Sequence, residues 1–470
     1  MTDFERPPQL MANAWNGAAA VGELTPDNVW GQRPIDFELT PKLLAPEPES
    51  DLRDWRDPRV GWGVILRERP DLSVVEQADV DGKFAALAAI VAQRNGVVLR
   101  YVPALGNGYV IRNYSDGTAQ QMSVIGSLAG TGRGALPMYL MIYASPADIP
   151  WSFQYQLNSD RFVGRLDPTS AGVEHYLAAM ANDWSGTAPD VAAPVVWTTN
   201  HGGGDITQLM AKTVGDALWA SFAEDKDLVR RRRIRDAEAT GANLIAALAA
   251  LKPAFIATTS HGLTGPAPIA PRIGVPVDAD FAAIDLDALF DAWSPDGAIW
   301  YAHACCSAGS DAGSRFADLF GEQDEMRLML EAVAADAGAC TSPLAQRLLS
   351  AASPARAFVG HVEPTFDWTL RDPASGQPLA NTLINALYNQ LFALGSSKRA
   401  TPIGYALQKL FDEADAFFSL WNDAISAVNK GVPSAPDWAL YRKLVGYDRQ
   451  GTVILGDPAV ALPLPRRVSA

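Results

Sequence analysis

Cysteine is scarce in this 470-residue chain: Cys305, Cys306 and Cys340 are the whole complement. An odd count with two of the three adjacent does not suit a disulfide framework, so reduced thiols are expected. No apolar run reaches the roughly 18 residues that a bilayer crossing needs. The start, Met1-Thr2-Asp3-Phe4-Glu5-Arg6-Pro7-Pro8, lacks the basic then apolar order of a secretion signal. A cytoplasmic location with no membrane partner is the expectation. Positive charge is in deficit too. Lys and Arg number 38 against 53 Asp and Glu, a formal net charge of -15. A polyanion would be repelled, which excludes nucleic acid as a general partner. The one basic run, Arg230-Arg231-Arg232-Arg233-Ile234-Arg235, is flanked by Glu224, Asp225, Asp227, Asp236 and Glu238. It reads as a solvated helix or loop of mixed charge. Three motifs are missing as well. No Gly-x-Ser-x-Gly accompanies His201-Gly202-Gly203-Gly204, which argues against an esterase. No Lys-Ser or Lys-Thr follows those glycines, as a phosphate-binding loop requires. No Cys-x-x-Cys offers paired zinc ligands.

What remains is an ordinary globular composition, 48% hydrophobic and 19% charged, long enough for two α/β units. Residues 1–57, rich in Pro, Asn, Asp and Glu, read as an irregular N-terminal arm. Strand-like runs at 60–66, 97–102, 137–143 and 161–166 alternate with helical spacing at 83–94 and 171–182. This defines a first α/β subdomain over 58–187. The stretch Asp183 to Pro194 reads as a linker. A second α/β unit over 188–470 has strands at 195–199, 254–259, 298–304, 357–361 and 452–455. Its helical stripes are Ile206 to Phe222, Ala242 to Leu251 and Leu383 to Leu391. Strands alternating with helices predict mostly parallel sheets flanked by helices, an α/β/α sandwich in each subdomain.

Two of these strands stop at chemistry. One ends in Thr258-Thr259-Ser260-His261-Gly262. The other ends in Ala302-His303-Ala304-Cys305-Cys306-Ser307-Ala308-Gly309-Ser310. Catalytic groups of open α/β sheets lie beyond the carboxyl ends of strands. An imidazole beside a thiol lowers the thiol pKa by stabilising the ion pair, which is the chemistry of a cysteine nucleophile with a histidine base. Backbone N–H groups of Gly262 and of the cysteine would form an oxyanion hole. His201, His261, His303, His361 and the cysteines are also a conceivable zinc set. His175 falls in a helix of the first unit. Asp205-Ile206-Thr207-Gln208 reads as a helix N-cap with a capping-box Gln.

Ser260-His261-Gly262 followed by Cys306-Ser307-Ala308-Gly309 resembles the caspase, gingipain and legumain clan of cysteine peptidases. There, His-Gly ends one strand and Cys-x-x-Gly the next. Tyr139 to Tyr143, Ile149-Pro150, Val163-Gly164-Arg165-Leu166 and Leu455-Gly456-Asp457-Pro458 are similar to the gingipain-like branch. The resemblance implies two caspase-like subdomains and an endopeptidase acting on protein or peptide substrates, with no cofactor and no metal. In metacaspases the second of two adjacent cysteines is the nucleophile, which points to Cys306 with His261 as base. Metacaspases also carry an acidic residue just before the cysteines, where this chain has His303 and Ala304. Legumain-like enzymes orient the histidine with an Asn at the end of the first strand, the position of Asn200. Clan members that cleave after Arg or Lys carry an Asp in the following loop. That makes Asp205, and after it Asp311, candidate substrate-binding carboxylates beside a wall of His361 and Trp368. The rival reading is an inactive caspase-like interaction module.

Overall fold

The computed structural model describes residues 9–23, 50–392 and 400–464. The strands, in chain order, are β1 (Leu10–Trp15), β2 (Ala19–Gly22), β3 (Trp62–Arg67), β4 (Val97–Tyr101), β5 (Tyr109–Asn113) and β6 (Ala119–Ser123). Next come β7 (Tyr139–Tyr143), β8 (Phe162–Leu166), β9 (Val195–Thr198), β10 (Arg232–Arg235), β11 (Phe255–Thr259) and β12 (Gly262–Leu263). The last are β13 (Ile299–His303), β14 (Gly309–Ser310), β15 (Cys340–Thr341), β16 (Ala357–His361) and β17 (Thr452–Gly456). Twelve of them form one sheet in the order β10-β9-β11-β13-β16-β17-β8-β7-β3-β4-β5-β6.

Strands buried along their whole length, such as β11, β13 and β16, belong inside a sheet covered on both faces. Alternation shows both covers. Trp62, Val64 and Leu66 of β3 enter one apolar cluster, while Ile65 joins another with Leu140 and Ile142 of β7. The sheet has two parallel blocks. β10, β9, β11, β13 and β16 run one way; β17, β8, β7, β3 and β4 run the other; the blocks meet at the antiparallel pair β16–β17. The expected boundary at 187/188 therefore crosses a continuous sheet, and the last strand, β17, pairs with β8 of the first unit. The expected linker contains Trp184, buried at a positive φ.

Two further expectations need correction. The N-terminal arm is not irregular throughout, because β1 and β2 form an antiparallel hairpin. Its residues 1–8 and 24–49 lie outside the described residues. The arginine run contributes β10, an edge strand parallel to β9 rather than a helix or loop. Its solvent-facing charges suit an edge that must not pair further, and Arg233 and Arg230 pair with Asp216 and Asp190. The meander β4-β5-β6 and the packed helices Gln408–Asn429 and Ala435–Gly451 were not foreseen.

The fold gathers one set of loops at one edge. Because β9, β11, β13 and β16 are parallel neighbours, residues 199–205, 260–262, 304–307 and 362–367 all follow strand ends on the same side.

Candidate active site

His261 follows β11 and is buried. Its Nε2 lies 2.9 Å from Oδ2 of Asp205. Asp205 is the N-cap of the helix Ile206–Met210, where its Oδ1 accepts the Thr207 N–H at 2.8 Å. One carboxylate thus fixes the helix start and the imidazole together. Burial opposes ionisation of Asp205, but the hydrogen bond and charge of His261, with the two Thr207 bonds, outweigh it and hold the carboxyl at about 2. With Nε2–H donated to that carboxylate, the lone pair of His261 is on Nδ1, which is buried and has no hydrogen-bond partner.

Asn200 does not orient His261. Its amide nitrogen donates to Asp236 Oδ1 at 3.0 Å and its oxygen accepts the Gly202 N–H. That is a loop-closing role, and Asp205 holds the histidine instead. With both oxygens of Asp205 already engaged, it is not a free carboxylate for a substrate cation.

The strands β11 and β13 pair in parallel with Thr259 opposite His303. The ladder continues as the Ser260 N–H donates to the His303 carbonyl. Beyond the ladder the backbone of Gly262 runs against Cys305: an ideal Cβ on Gly262 would fall 1.9 Å from the Cys305 carbonyl oxygen. Glycine is required there by close approach. Cys306 has φ 55°, and its side chain packs with Ile269, Ile273 and Val333. Its N–H donates to the Glu363 carbonyl at 2.9 Å, so that group is not an available oxyanion donor. Cys305 Sγ accepts the Thr365 N–H at 3.2 Å and packs among Leu10, Ala12, Ala14 and Phe316. Burial pushes both thiols up, and the Thr365 contact opposes this at Cys305. No hydrogen bond joins either sulfur to His261. The expected nucleophile, Cys306, lies in a separate apolar cluster; Cys305 packs against β1, whose Trp15 lies on His261.

The other candidates lie apart. Asp311 accepts the Ala312 N–H, and burial raises its carboxyl. His361 is buried edge-to-face on His303 at 4.7 Å, and burial lowers both imidazoles, His303 to about 3. Trp368 is buried in the cluster around Phe366. His175, at Ser350, is remote.

Three features of the site were not foreseen. The hairpin strand β1 lies across the strand ends, parallel to β12 with Ala14 opposite Gly262. The Trp15 indole covers His261 at 5.5 Å between centroids. His201 stacks parallel to His261 at 5.4 Å, with Phe281 on its other side at 4.1 Å. The His201 Nε2–H donates to the Asp278 carbonyl at 2.9 Å, leaving its Nδ1 buried and unpartnered. Burial lowers the His201 pKa. His201, Asp205 and His261 offer ligand atoms that lie within 4.8 Å of one another. Strand β13 ends at His303, so alternation along it gives no signal for the thiol, and no local signal places residue 15 over residue 261.

Neither a protein-family model, nor a curated protein, nor a solved structure matches the chain. Among the described residues no helix is long and apolar enough to cross a membrane.

Proposed function

We propose that this chain is a cysteine endopeptidase in which Cys305 is the nucleophile, His261 the base and Asp205 the group that orients it. The observation that carries the reading is the division of labour on one imidazole. Nε2 is committed to Asp205 at 2.9 Å, and Nδ1 is a buried, unpartnered lone pair on the residue before Gly262, whose backbone packs on Cys305. The Cys305 proton passes to Nδ1. The thiolate attacks the scissile carbonyl, His261 protonates the departing amine, and water hydrolyses the thioester. Catalytic hydrogen bonds are often long before substrate binds, so the missing thiol–imidazole bond is compatible with this chemistry. The two parallel blocks meeting at β16–β17 fit two caspase-like subdomains side by side. Protein or peptide is the substrate class, and the chemistry needs no cofactor.

A peptide-library digest tests the reading. It uses the full chain carrying Trp15→Ala, which uncovers His261, with and without Cys305→Ala or Cys306→Ala. Cleavage that requires Cys305 and survives Cys306→Ala is expected. Cleavage that instead requires Cys306 reassigns the nucleophile. No cleavage by any form contradicts the peptidase reading.

A second reading is favoured by one observation. A metal-ligating histidine commonly gives its other N–H to a backbone carbonyl, as His201 does to Asp278. His201, Asp205 and His261 would then hold zinc. Metal analysis of the purified chain separates the two. About one zinc per chain, lost in His201→Ala, supports the metal reading; activity unchanged by a chelator supports the peptidase.

A further inference from the structure

We infer that the groove flanked on one edge by Gly262–Leu263 and Thr365–Phe366 and on the other by β2 is a binding site for an extended peptide strand, and that β1 is a displaceable internal occupant that keeps Cys305 and His261 closed.

The groove is a strand-addition site. Along one edge β1 pairs with β12, and the Thr264 N–H donates to the Trp15 carbonyl at 3.1 Å. Further along the same edge Ala12 bridges Phe366, the Asn13 N–H donates to the Thr365 carbonyl at 2.9 Å, and the Met11 N–H reaches Asp367 Oδ1 at 3.2 Å; the opposite edge of β1 pairs with β2. Main-chain bonds of this kind accept any extended polypeptide. Leu10, Ala12, Asn13 and Ala14 are at most 1% exposed, so the strand fills the groove. Along it, the Asn13 amide nitrogen donates to the His303 carbonyl at 3.4 Å and Trp15 lies on His261. The occupant therefore runs from the thiol to the imidazole. By alternation with Thr264, the Gly262 N–H faces β1, so a strand that replaced β1 would meet that donor.

The fit is imperfect where it matters. The Asn13 side-chain oxygen is buried with no hydrogen-bond partner, which weakens the seat of β1. The ladder to β12 is only two residues long. The second hairpin strand is held elsewhere, with the Glu23 N–H on Asp324 Oδ2 and Gly22 against Met326. For β1 to leave the groove while β2 stays docked, the pairs between the two hairpin strands must open as well. The regulatory consequence, a latent enzyme, rests on the peptidase reading; the shielding of Cys305 does not.

The test is alkylation of Cys305 and Cys306 by iodoacetamide, read by mass spectrometry on the full chain and on Asn13→Pro/Trp15→Ala. Proline removes the N–H given to Thr365. Hydrogen exchange reports residues 10–15 in parallel. Release of those residues should speed Cys305 labelling by about tenfold or more while Cys306, in its separate cluster, stays slow. A synthetic peptide of the sequence Leu10 to Trp15 should restore protection. Three outcomes overturn the inference: residues 10–15 that stay as protected as β11, a Cys305 that stays slow after they are released, or both cysteines speeding up together as the core opens. An uncovered Cys305 with no peptide cleavage sinks the peptidase reading and leaves the displaceable strand standing.

Discussion

The His261 imidazole and the Asp205 carboxylate meet at 2.9 Å through Nε2 and Oδ2, and that single contact decides which ring nitrogen can act as a base. Asp205→Asn keeps an oxygen for the helix cap but cannot stabilise an imidazolium or enforce the tautomer. In the form with β1 released, kcat should fall by about a hundredfold to ten-thousandfold, with KM little changed. Asp205→Ala should also lose the cap, about 1 kcal/mol, seen as a lower urea midpoint. An unchanged kcat in Asp205→Asn would show that the pair is only structural. The folded carboxyl is held at about 2, below its ordinary value. Its contribution to stability is thus present above the ordinary carboxyl range and is lost as pH falls towards 2.

The two adjacent thiols should behave differently. Cys306 sits among Ile269, Ile273 and Val333, so Cys306→Ala should leave kcat/KM within about threefold, because no interaction with the reacting atoms is removed. Cys305→Ala should abolish turnover. Initial-rate assays on a cleaved library peptide decide between them.

Asn200 closes its own loop through Asp236 and Gly202. Asn200→Ala is therefore expected to change kcat by no more than about twofold, as for a residue with no role in the transition state. A hundredfold loss would restore it as the orienting residue.

Burial raises Glu363 to about 7 and Asp367 and Asp448 to about 6, and lifts Asp311 as well. Between about pH 4, the ordinary carboxyl value, and about pH 7, these groups bind more protons folded than unfolded, which lowers stability as pH rises. The lowered imidazoles of His201, His303 and His361 bind fewer, which acts in the opposite sense up to about pH 6.5. Urea midpoints of the wild type and Glu363→Gln at several pH values isolate the carboxyl share. The stability of the wild type relative to the variant should fall as pH rises to about 7; a relative stability that rises through that window would contradict the account.

Asp457 ties the last strand to the first subdomain. It accepts from Trp62 Nε1 at 3.0 Å and Arg94 Nη1 at 2.6 Å, and is itself fully buried. Asp457→Ala leaves the Arg94 guanidinium, only 7% exposed, without its charge partner. A loss of about 3–5 kcal/mol is expected by equilibrium unfolding; a loss under about 1 kcal/mol would show that the pair adds nothing.

The strand ends at His261 and at the cysteines were legible because continuous apolar runs such as Ile299 to Ala302 stop abruptly at polar turn residues. Asp205 was legible as a cap, since capping is local. Its second bond was not, because residues 205 and 261 meet only through the pairing of β9 with β11. The nucleophile was read from motif spacing, Cys-x-x-Gly, which carries no information on which face a side chain takes. The arginines of β10 were read by their charge, although an edge strand needs few apolar residues. Nothing local signals that Leu10 to Trp15 crosses the site, because its partners are some 250 and 350 residues away in sequence, a separation that only tertiary pairing bridges.

The most direct measurement is the pH dependence of Cys305 alkylation in Asn13→Pro/Trp15→Ala, compared with the same protein carrying His261→Ala. The account predicts that Cys305 reacts through a thiolate well below the ordinary thiol range near 8.5 and that this low-pH reactivity disappears without His261. A Cys305 whose labelling profile is the same with and without that imidazole would contradict it.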